Sequence, residues 1–286
     1  MARPLVPIVS LLELSSAARL AGEQIMRWYK HADLFADAKA DQSPVTQADL
    51  AAHRSLMISL PKLLPGVPIV SEEGGGDPAV MQAVINSAPV YWLVDPLDGT
   101  RDYLKATGDF SVNIALMVDA KPVLGCVYAP SYGSSFVAAQ GEGAFRQDLA
   151  AGVLVPVRAR RSDPERFVCL VSRSHHSGEG DILRAAYPLA TCKAVGSALK
   201  YTQIAEGVAD FSIRITPTCL WDTAAAQCVL EQAGGALLNF SGQPLSYRTG
   251  ILENPPFVAI GDPDFSWRAA MAKLEPFYKK SLLTGP

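Results

Sequence analysis

The stretch Tyr91-Trp92-Leu93-Val94-Asp95-Pro96-Leu97-Asp98-Gly99-Thr100 decides the reading of this chain. Residues 91–94 form an apolar run that suits a strand buried on both faces. It passes without a spacer into two aspartates that flank Pro96 and Leu97. Carboxylates at the end of a buried strand are held rigidly and cannot drift into water. Pro96 stiffens the turn, so both aspartates can face one centre, and Leu97 can add only its carbonyl oxygen. Gly99 permits close backbone approach, and a helix beginning at Thr100 would turn its first N–H groups toward an anion. Asp-Pro-x-Asp-Gly is also ordinary turn chemistry. Taken alone, the stretch leaves a metal site and a plain turn both open.

Other carboxylates sit at comparable points. Glu72 and Glu73 follow a short strand at 68–70, Asp49 closes the segment Lys39-Ala-Asp-Gln-Ser-Pro-Val-Thr-Gln-Ala-Asp49, and Asp222 is expected to begin a helix after Trp221. Singly, Glu72-Glu73 reads as a solvated pair and Asp222 as a helix N-cap. If they converge, their repulsion must be relieved by protons or by a cation. An all-oxygen ligand set suits Mg²⁺, which is held by a few carboxylates together with substrate phosphate.

Working outward, apolar residues at helical spacing (Leu11, Leu12, Ala18, Ile25, Met26, Tyr29) predict a first helix over 8–29. A second runs to Leu64, closed by Pro65-Gly66. Runs at 112–118, 123–128, 135–139 and 143–146, separated by turn signals, predict an antiparallel meander. Beyond 155 strands (167–171, 193–195, 211–215, 236–239, 257–260) alternate with helices (182–187, 198–206, 222–233 and near 265–274). That alternation predicts a second layered unit with mixed or parallel pairing, the chain dividing into halves 1–155 and 156–286 that share an interface.

Composition narrows the class. The chain has 286 residues, 49% hydrophobic and 19% charged, with net charge −3, and a pI near 5.8. A broad nucleic-acid surface would need a basic face, so a polymer partner is excluded and any anion must be held locally. Five cysteines without CxxC spacing read as reduced, mostly buried thiols rather than zinc ligands. The start of the chain superficially resembles a signal peptide, but Pro4, Pro7 and Glu13 interrupt its apolar run. No stretch approaches the ~20 apolar residues of a spanning helix. A cytoplasmic protein is expected, with room for weak peripheral association with the inner membrane face, as a monomer or homodimer. GxSxG, HExxH and GxxxxGK[ST] patterns are absent, which removes serine-hydrolase, zincin and P-loop readings.

Glu72-Glu73, Asp95 to Thr100 and Trp221-Asp222, in that order, resemble the fingerprint of the inositol monophosphatase superfamily. Within it, five stretches look like bisphosphate nucleotidases of the CysQ type. They are residues 39–49, Phe110-Ser-Val-Asn-Ile-Ala-Leu, Val171-Ser-Arg-Ser-His175, Val195-Gly-Ser-Ala-Leu-Lys200 and Pro217-Thr-Cys-Leu-Trp-Asp-Thr-Ala-Ala225. Gly-Ser-Ala-Leu-Lys stands where Gly-Ser-Ser-Leu-Lys is usual, and Arg101-Asp102 where Lys-Glu is common.

The resemblance implies an α+β or α/β sandwich of alternating α-β-α-β-α layers. It places most metal ligands in the first half, and Asp222 with the nucleotide-contacting residues in the second. It implies that Glu72, Asp95 and the Leu97 carbonyl hold one Mg²⁺, that Asp95, Asp98 and Asp222 hold another, and that a third, weaker ion sits near Glu72. Thr100, paired with Asp49, would deprotonate the attacking water, and the backbone of Gly99 and Thr100 would bind the scissile phosphate. His175, Ser197 and Lys200 would contact the nucleotide. Ser197 reads equally as a helix cap, and Arg214 equally as a phosphate contact or an edge-strand arginine. His31, His53 and His176 read as surface residues.

The expected activity is Mg²⁺-dependent hydrolysis of adenosine 3′,5′-bisphosphate to AMP and phosphate by attack of metal-activated water, recycling a by-product of sulfate activation. Inositol monophosphatase is the enzymatic alternative. A nucleotide or metal sensor on the same fold is the non-enzymatic one.

Overall fold

The computed structural model describes residues 9–29, 36–38, 44–148, 152–163, 166–174 and 179–265. The first helix, α1 (Leu11–Trp28), starts at a capping box in which Ser10 and Glu13 bond each other's backbone N–H. A hairpin of β1 (Ala36–Ala38) and β2 (Pro44–Thr46) leads into α2 (Gln47–Leu63). Then come β3 (Ile69–Ser71), α3 (Pro78–Ser87), β4 (Val90–Asp98) and the short α4 (Thr100–Leu104). The expected meander follows as β5 (Ser111–Val118), β6 (Lys121–Ala129), β7 (Ser134–Ala139) and β8 (Gly143–Asp148), and a further, unexpected strand, β9 (Leu154–Val157), extends it. Together β3 to β9 make a seven-stranded sheet in sequence order, antiparallel except for the parallel pair β3–β4.

The remaining elements are β10 (Val168–Ser172), α5 (Glu179–Ala186), β11 (Thr191–Val195), α6 (Leu199–Ala205), β12 (Phe211–Arg214), α7 (Ala224–Gln232), β13 (Ala236–Asn239) and β14 (Phe257–Ile260). Their five strands form a mixed sheet in the order β11-β10-β12-β14-β13, parallel across β11-β10-β12 and antiparallel beyond.

Alternation along β4 explains the layering. Trp92 and Val94 point into a core shared with α1 and α2, whereas Tyr91 and Leu93 point into a core shared with α6, α7 and one face of the second sheet. The other face of that sheet packs Phe167, Phe211 and Ile213 with Leu183 of α5. The order is therefore α1/α2, seven strands, α6/α7, five strands, α5: the layered sandwich that the sequence predicts.

Three expectations change. The helix expected to begin at Asp222 is a 3-10 turn, Leu220–Asp222, followed by α7 two residues later. The Asp222 carboxylate accepts the Cys219 N–H at 2.8 Å, closing the tight turn on itself. Arg214 is not on an edge strand, since β12 lies between β10 and β14, and the residue is buried. His53 is half-buried, with Nδ1 2.9 Å from the Ser71 hydroxyl. His31, His175, His176, residues 39–43 and the last expected helix beyond residue 265 lie outside the described residues.

The middle helical layer sits unusually close to the large sheet at Gly125. A Cβ there would collide with the Ala225 carbonyl oxygen and lie 2.7 Å from Cys228 Cβ. The small-residue face Ala224, Ala225 and Cys228 thus sets the depth of α7, and with it the position of Asp222. Gly125→Ala is expected to destabilise the fold by about 1–3 kcal/mol through overpacking, read as a lowered midpoint in urea unfolding.

Candidate active site

The acidic centre is built by an irregularity in β4. Asp95 lies opposite Asn113 of β5, and Asp98 opposite Ser111. Three steps on one strand match two on the other, so β4 carries a one-residue bulge. Regular pleating would send residues 95 and 98 to opposite faces, and the bulge turns Asp98 to the side of Asp95. Pro96 has no N–H to offer the ladder, and the Asp95 carboxylate accepts the Leu97 N–H at 3.0 Å.

Asp222 reaches the same place from the 3-10 turn. Carboxylate oxygens of Asp95, Asp98 and Asp222 lie within 4.8 Å of one another. Burial, followed by the charges of Glu72, Asp98 and Asp222, pushes the Asp95 carboxyl well above the usual carboxylate range. Burial, then Asp98 and Glu72, does the same to Asp222. Asp98 is also raised by burial, with Lys200 and the Ala198 N–H opposing. Its Oδ2 accepts from Ala198 N at 2.5 Å and Asn113 Nδ2 at 3.2 Å, a partner that the sequence reading missed. These donors fix Asp98 without neutralising the group. A set of buried hard oxygens that repel one another is the chemistry a divalent cation relieves, so the residues present fit Mg²⁺. Glu72 lines the same cleft, and both Glu73 and Glu72 act electrostatically on Asp49.

Beside the centre, Thr100 Oγ1 lies 3.2 Å from Asp49 Oδ1 and 3.2 Å from the Leu97 carbonyl oxygen. Asp49 is oriented by its own helix: its Oδ2 accepts from Thr46 N at 2.8 Å and Thr46 Oγ1 at 2.5 Å in the capping box that opens α2. Burial raises its pKa to about 7. Asp49 is therefore a fixed acceptor that titrates near neutrality.

The cleft encloses about 280 Å³ and brings together Glu72, Asp95, Leu97, Asp98, Gly99, Thr100, Ser197, Lys200 and Asp222. Every substrate- or metal-contacting residue expected from the sequence lines it, save His175, which lies outside the described residues. Lys200 is buried, and its Nζ donates to the Ser197 carbonyl at 2.7 Å. Burial and the nearby Arg214 guanidinium lower its pKa to about 8. Arg214 lines the same wall, with a buried Nε that has no hydrogen-bond partner among the described residues. Ser197 does not cap α6 in the usual way; its backbone is left-handed at φ 51°, and the N-cap is Ala198. The cleft thus sets two buried cations beside clustered carboxylates, the charge of Lys200 acting on Asp98 and that of Arg214 on Asp222.

The profile of the inositol monophosphatase family matches residues 10–261 of the chain. A 3′(2′),5′-bisphosphate nucleotidase CysQ from Escherichia coli K12 is 40% identical over 250 residues, 86% of this chain and 97% of that protein. The protein of the same name from Aggregatibacter actinomycetemcomitans is 34% identical over 267 residues, 92% of this chain and 97% of its own. Among solved structures, CysQ from Bacteroides thetaiotaomicron superposes with a TM-score of 0.74 at 31% identity, covering 88% of this chain and 96% of that one. An inositol monophosphatase from Zymomonas mobilis shares the fold, with a TM-score of 0.72 at 23% identity over 93% of this chain and 97% of its own.

Proposed function

This chain belongs to the inositol monophosphatase family, and from that premise we propose that it is a 3′(2′),5′-bisphosphate nucleotidase, converting adenosine 3′,5′-bisphosphate to AMP and phosphate. The observation that carries the reading is the single cleft that joins the acidic centre to two buried cations, Lys200 and Arg214. A substrate with two phosphates can set one at the acidic centre and the other on the cations. Inositol monophosphate has no second anion to use the cation pair, and a sensor has no need of the Thr100–Asp49 pair. Relatives that carry the nucleotidase name at 40% identity support the same choice.

Two Mg²⁺ are assigned to the centre. Glu72, Asp95 and the Leu97 carbonyl would hold one, and Asp95, Asp98 and Asp222 the other, with Asp95 shared and a third, weaker position near Glu72. When bound, the cations supply Lewis-acid neutralisation of the transferring phosphoryl group and make water more acidic.

The remaining chemistry belongs to the chain. Asp49 Oδ1 takes the Thr100 hydroxyl proton, and Thr100 Oγ1 takes a proton from the attacking water, so no histidine is needed. The Thr100 hydroxyl has one proton and two acceptors, Asp49 and the Leu97 carbonyl. Occupation of the Leu97 oxygen by a ligand therefore commits that proton to Asp49. Gly99 and Thr100 present backbone N–H groups beside the phosphate to be cleaved, while Lys200 and Arg214 neutralise the second phosphate. Ser197 lines the same cleft. The half 1–155 supplies most of the metal ligands, and the half 156–286 supplies Asp222 and the nucleotide contacts.

The test is a comparison of adenosine 3′,5′-bisphosphate, inositol 1-phosphate and fructose 1,6-bisphosphate as substrates, with and without Mg²⁺. Turnover of the nucleotide that requires Mg²⁺ and exceeds the others is expected. Clear preference for inositol 1-phosphate would overturn the assignment.

A pH prediction follows from Asp49. Its carboxylate is the working form, and burial lifts its pKa to about 7. Activity should therefore fall as pH drops through about 7 in the kcat/KM profile. Asp49→Asn is expected to slow the reaction and erase that acid limb, because the base whose protonation produces it is gone.

A further inference from the structure

Next to the cleft, the two halves of the chain meet at Asp109, a buried carboxylate outside the acidic centre. Its Oδ2 accepts from Arg173 Nε at 2.7 Å and from the Gly196 N–H at 3.0 Å, and its Oδ1 accepts from the Tyr132 hydroxyl at 2.9 Å. The Arg173 guanidinium also donates to the Ala194 carbonyl at 2.8 Å, so it spans the end of β11 and Asp109.

The backbone fit is equally close. A Cβ at Gly196 would lie 2.6 Å from the Asp109 carbonyl oxygen and 2.8 Å from Asp109 Cβ. A Cβ at Gly99 would lie 2.9 Å from that same carbonyl oxygen. Asp109 is thus wedged between the glycine beside Thr100 and the glycine beside Ser197.

Two residues past Gly196, the Ala198 N–H is bonded to Asp98. The 196–198 turn is therefore gripped at both ends by acids of the other half, with Ser197 held between them in left-handed backbone. A non-glycine residue stays in that conformation only where its surroundings over-determine it. The Lys200 ammonium is tied to the carbonyl of this same turn.

We propose that Asp109, braced by Arg173, is a positioning residue for substrates with two phosphates: it sets the 196–198 turn, and through it Lys200, in register with the Asp95–Asp98–Asp222 centre. The inference rests on the reading of Lys200 and Arg214 as the seat of the second phosphate. Asp109 touches neither the reacting phosphate nor the acidic centre. Its carboxylate acts on the 196–198 turn, so its loss weighs most on a substrate that engages Lys200 as well as the acidic centre. Small misplacements between two such contacts are costly because binding energy at one orients the other.

The experiment measures kcat and KM for adenosine 3′,5′-bisphosphate and adenosine 3′-monophosphate, with Mg²⁺, in the wild type, Asp109→Asn, Arg173→Gln and the double variant. In each single variant, the ratio of kcat/KM for the bisphosphate to that for the monophosphate is expected to fall about 10-fold or more. The fall should come mainly through KM for the bisphosphate. The double variant should lose little beyond the worse single one, since both act through one bond.

A parallel loss on both substrates, or an unchanged ratio, overturns the proposal. If Asp109→Asn does not fold, Arg173→Gln decides alone, because the Arg173 side chain is 40% exposed. A wild-type ratio near one removes the second-phosphate seat itself, and the proposal falls with it. That result is distinct from a wild-type preference that the variants fail to weaken.

Discussion

Asp95→Asn is expected to reduce kcat roughly 10³-fold or more, a loss typical of removing a group central to the reaction, while raising the melting temperature of the metal-free protein. Both effects have one origin. Asp95 is the carboxylate shared by both proposed Mg²⁺ positions, and it is 2% exposed among like charges. Asparagine keeps the oxygen that accepts the Leu97 N–H and removes the charge.

The sign follows from linkage. A carboxyl whose pKa is raised on folding binds more protons in the native than in the unfolded chain, so stability falls as pH rises. The penalty begins above the ordinary carboxylate pKa near 4 and grows as pH climbs toward the raised folded values of Asp95 and Asp222. The metal-free wild type should therefore melt at a lower temperature at pH 8 than at pH 6, and the variant should show a shallower decline. Saturating Mg²⁺ should raise the wild-type midpoint more at pH 8 than at pH 6. Thermal scans at both pH values, with and without Mg²⁺, beside initial rates, check the pair. A variant that loses activity and also loses metal-free stability would contradict the account of the centre.

Arg214→Gln and Lys200→Met are each expected to lower kcat/KM for adenosine 3′,5′-bisphosphate by ~10²-fold, the order seen when one partner of a buried charge pair is truncated. The fall should be at least about 10-fold greater than for adenosine 3′-monophosphate. Burial and Arg214 lower Lys200 to about 8, so its charge is held at a cost, and a buried Arg214 Nε lacks a partner among the described residues. A donor left waiting in a cleft is costly to a folded chain and is accounted for by an anion that binds there. Steady-state kinetics on the two substrates separate this reading from inositol monophosphatase, for which both variants would matter little.

Much of this site is written locally. The strand running into Asp95-Pro96-Leu97-Asp98, the Thr46–Asp49 cap and the acid after Trp221 each announce themselves within a few residues, and the meander is visible in its alternation and turns. The remainder depends on pairing between distant segments. The bulge that brings Asp98 beside Asp95 becomes visible only when Asn113 and Ser111 are laid opposite them. The same pairing reveals Asn113 as a partner of Asp98.

Arg214 reads as an edge residue until the crossover order β10-β12-β14 places it inside the sheet. Asp222 looks like a helix start because Trp-Asp followed by alanines favours one. The carboxylate bonds back to Cys219 and tightens the chain into a 3-10 turn first. The α3 helix escaped notice because it buries little beyond Ile85 and so carries weak periodicity. The Asp109 hub joins Tyr132, Arg173 and Gly196 across 23, 64 and 87 residues of chain, a spacing that no local motif encodes.

The central claim is that Asp95, Asp98 and Asp222 form a site for divalent cations. Its most direct test is anomalous diffraction from crystals of the wild-type protein soaked in Mn²⁺ as a stand-in for Mg²⁺. The account predicts a strong anomalous peak within ligand distance of carboxylate oxygens from all three aspartates. Their oxygens turned apart, with no peak among them in a crystal where Mn²⁺ is seen elsewhere, would contradict it.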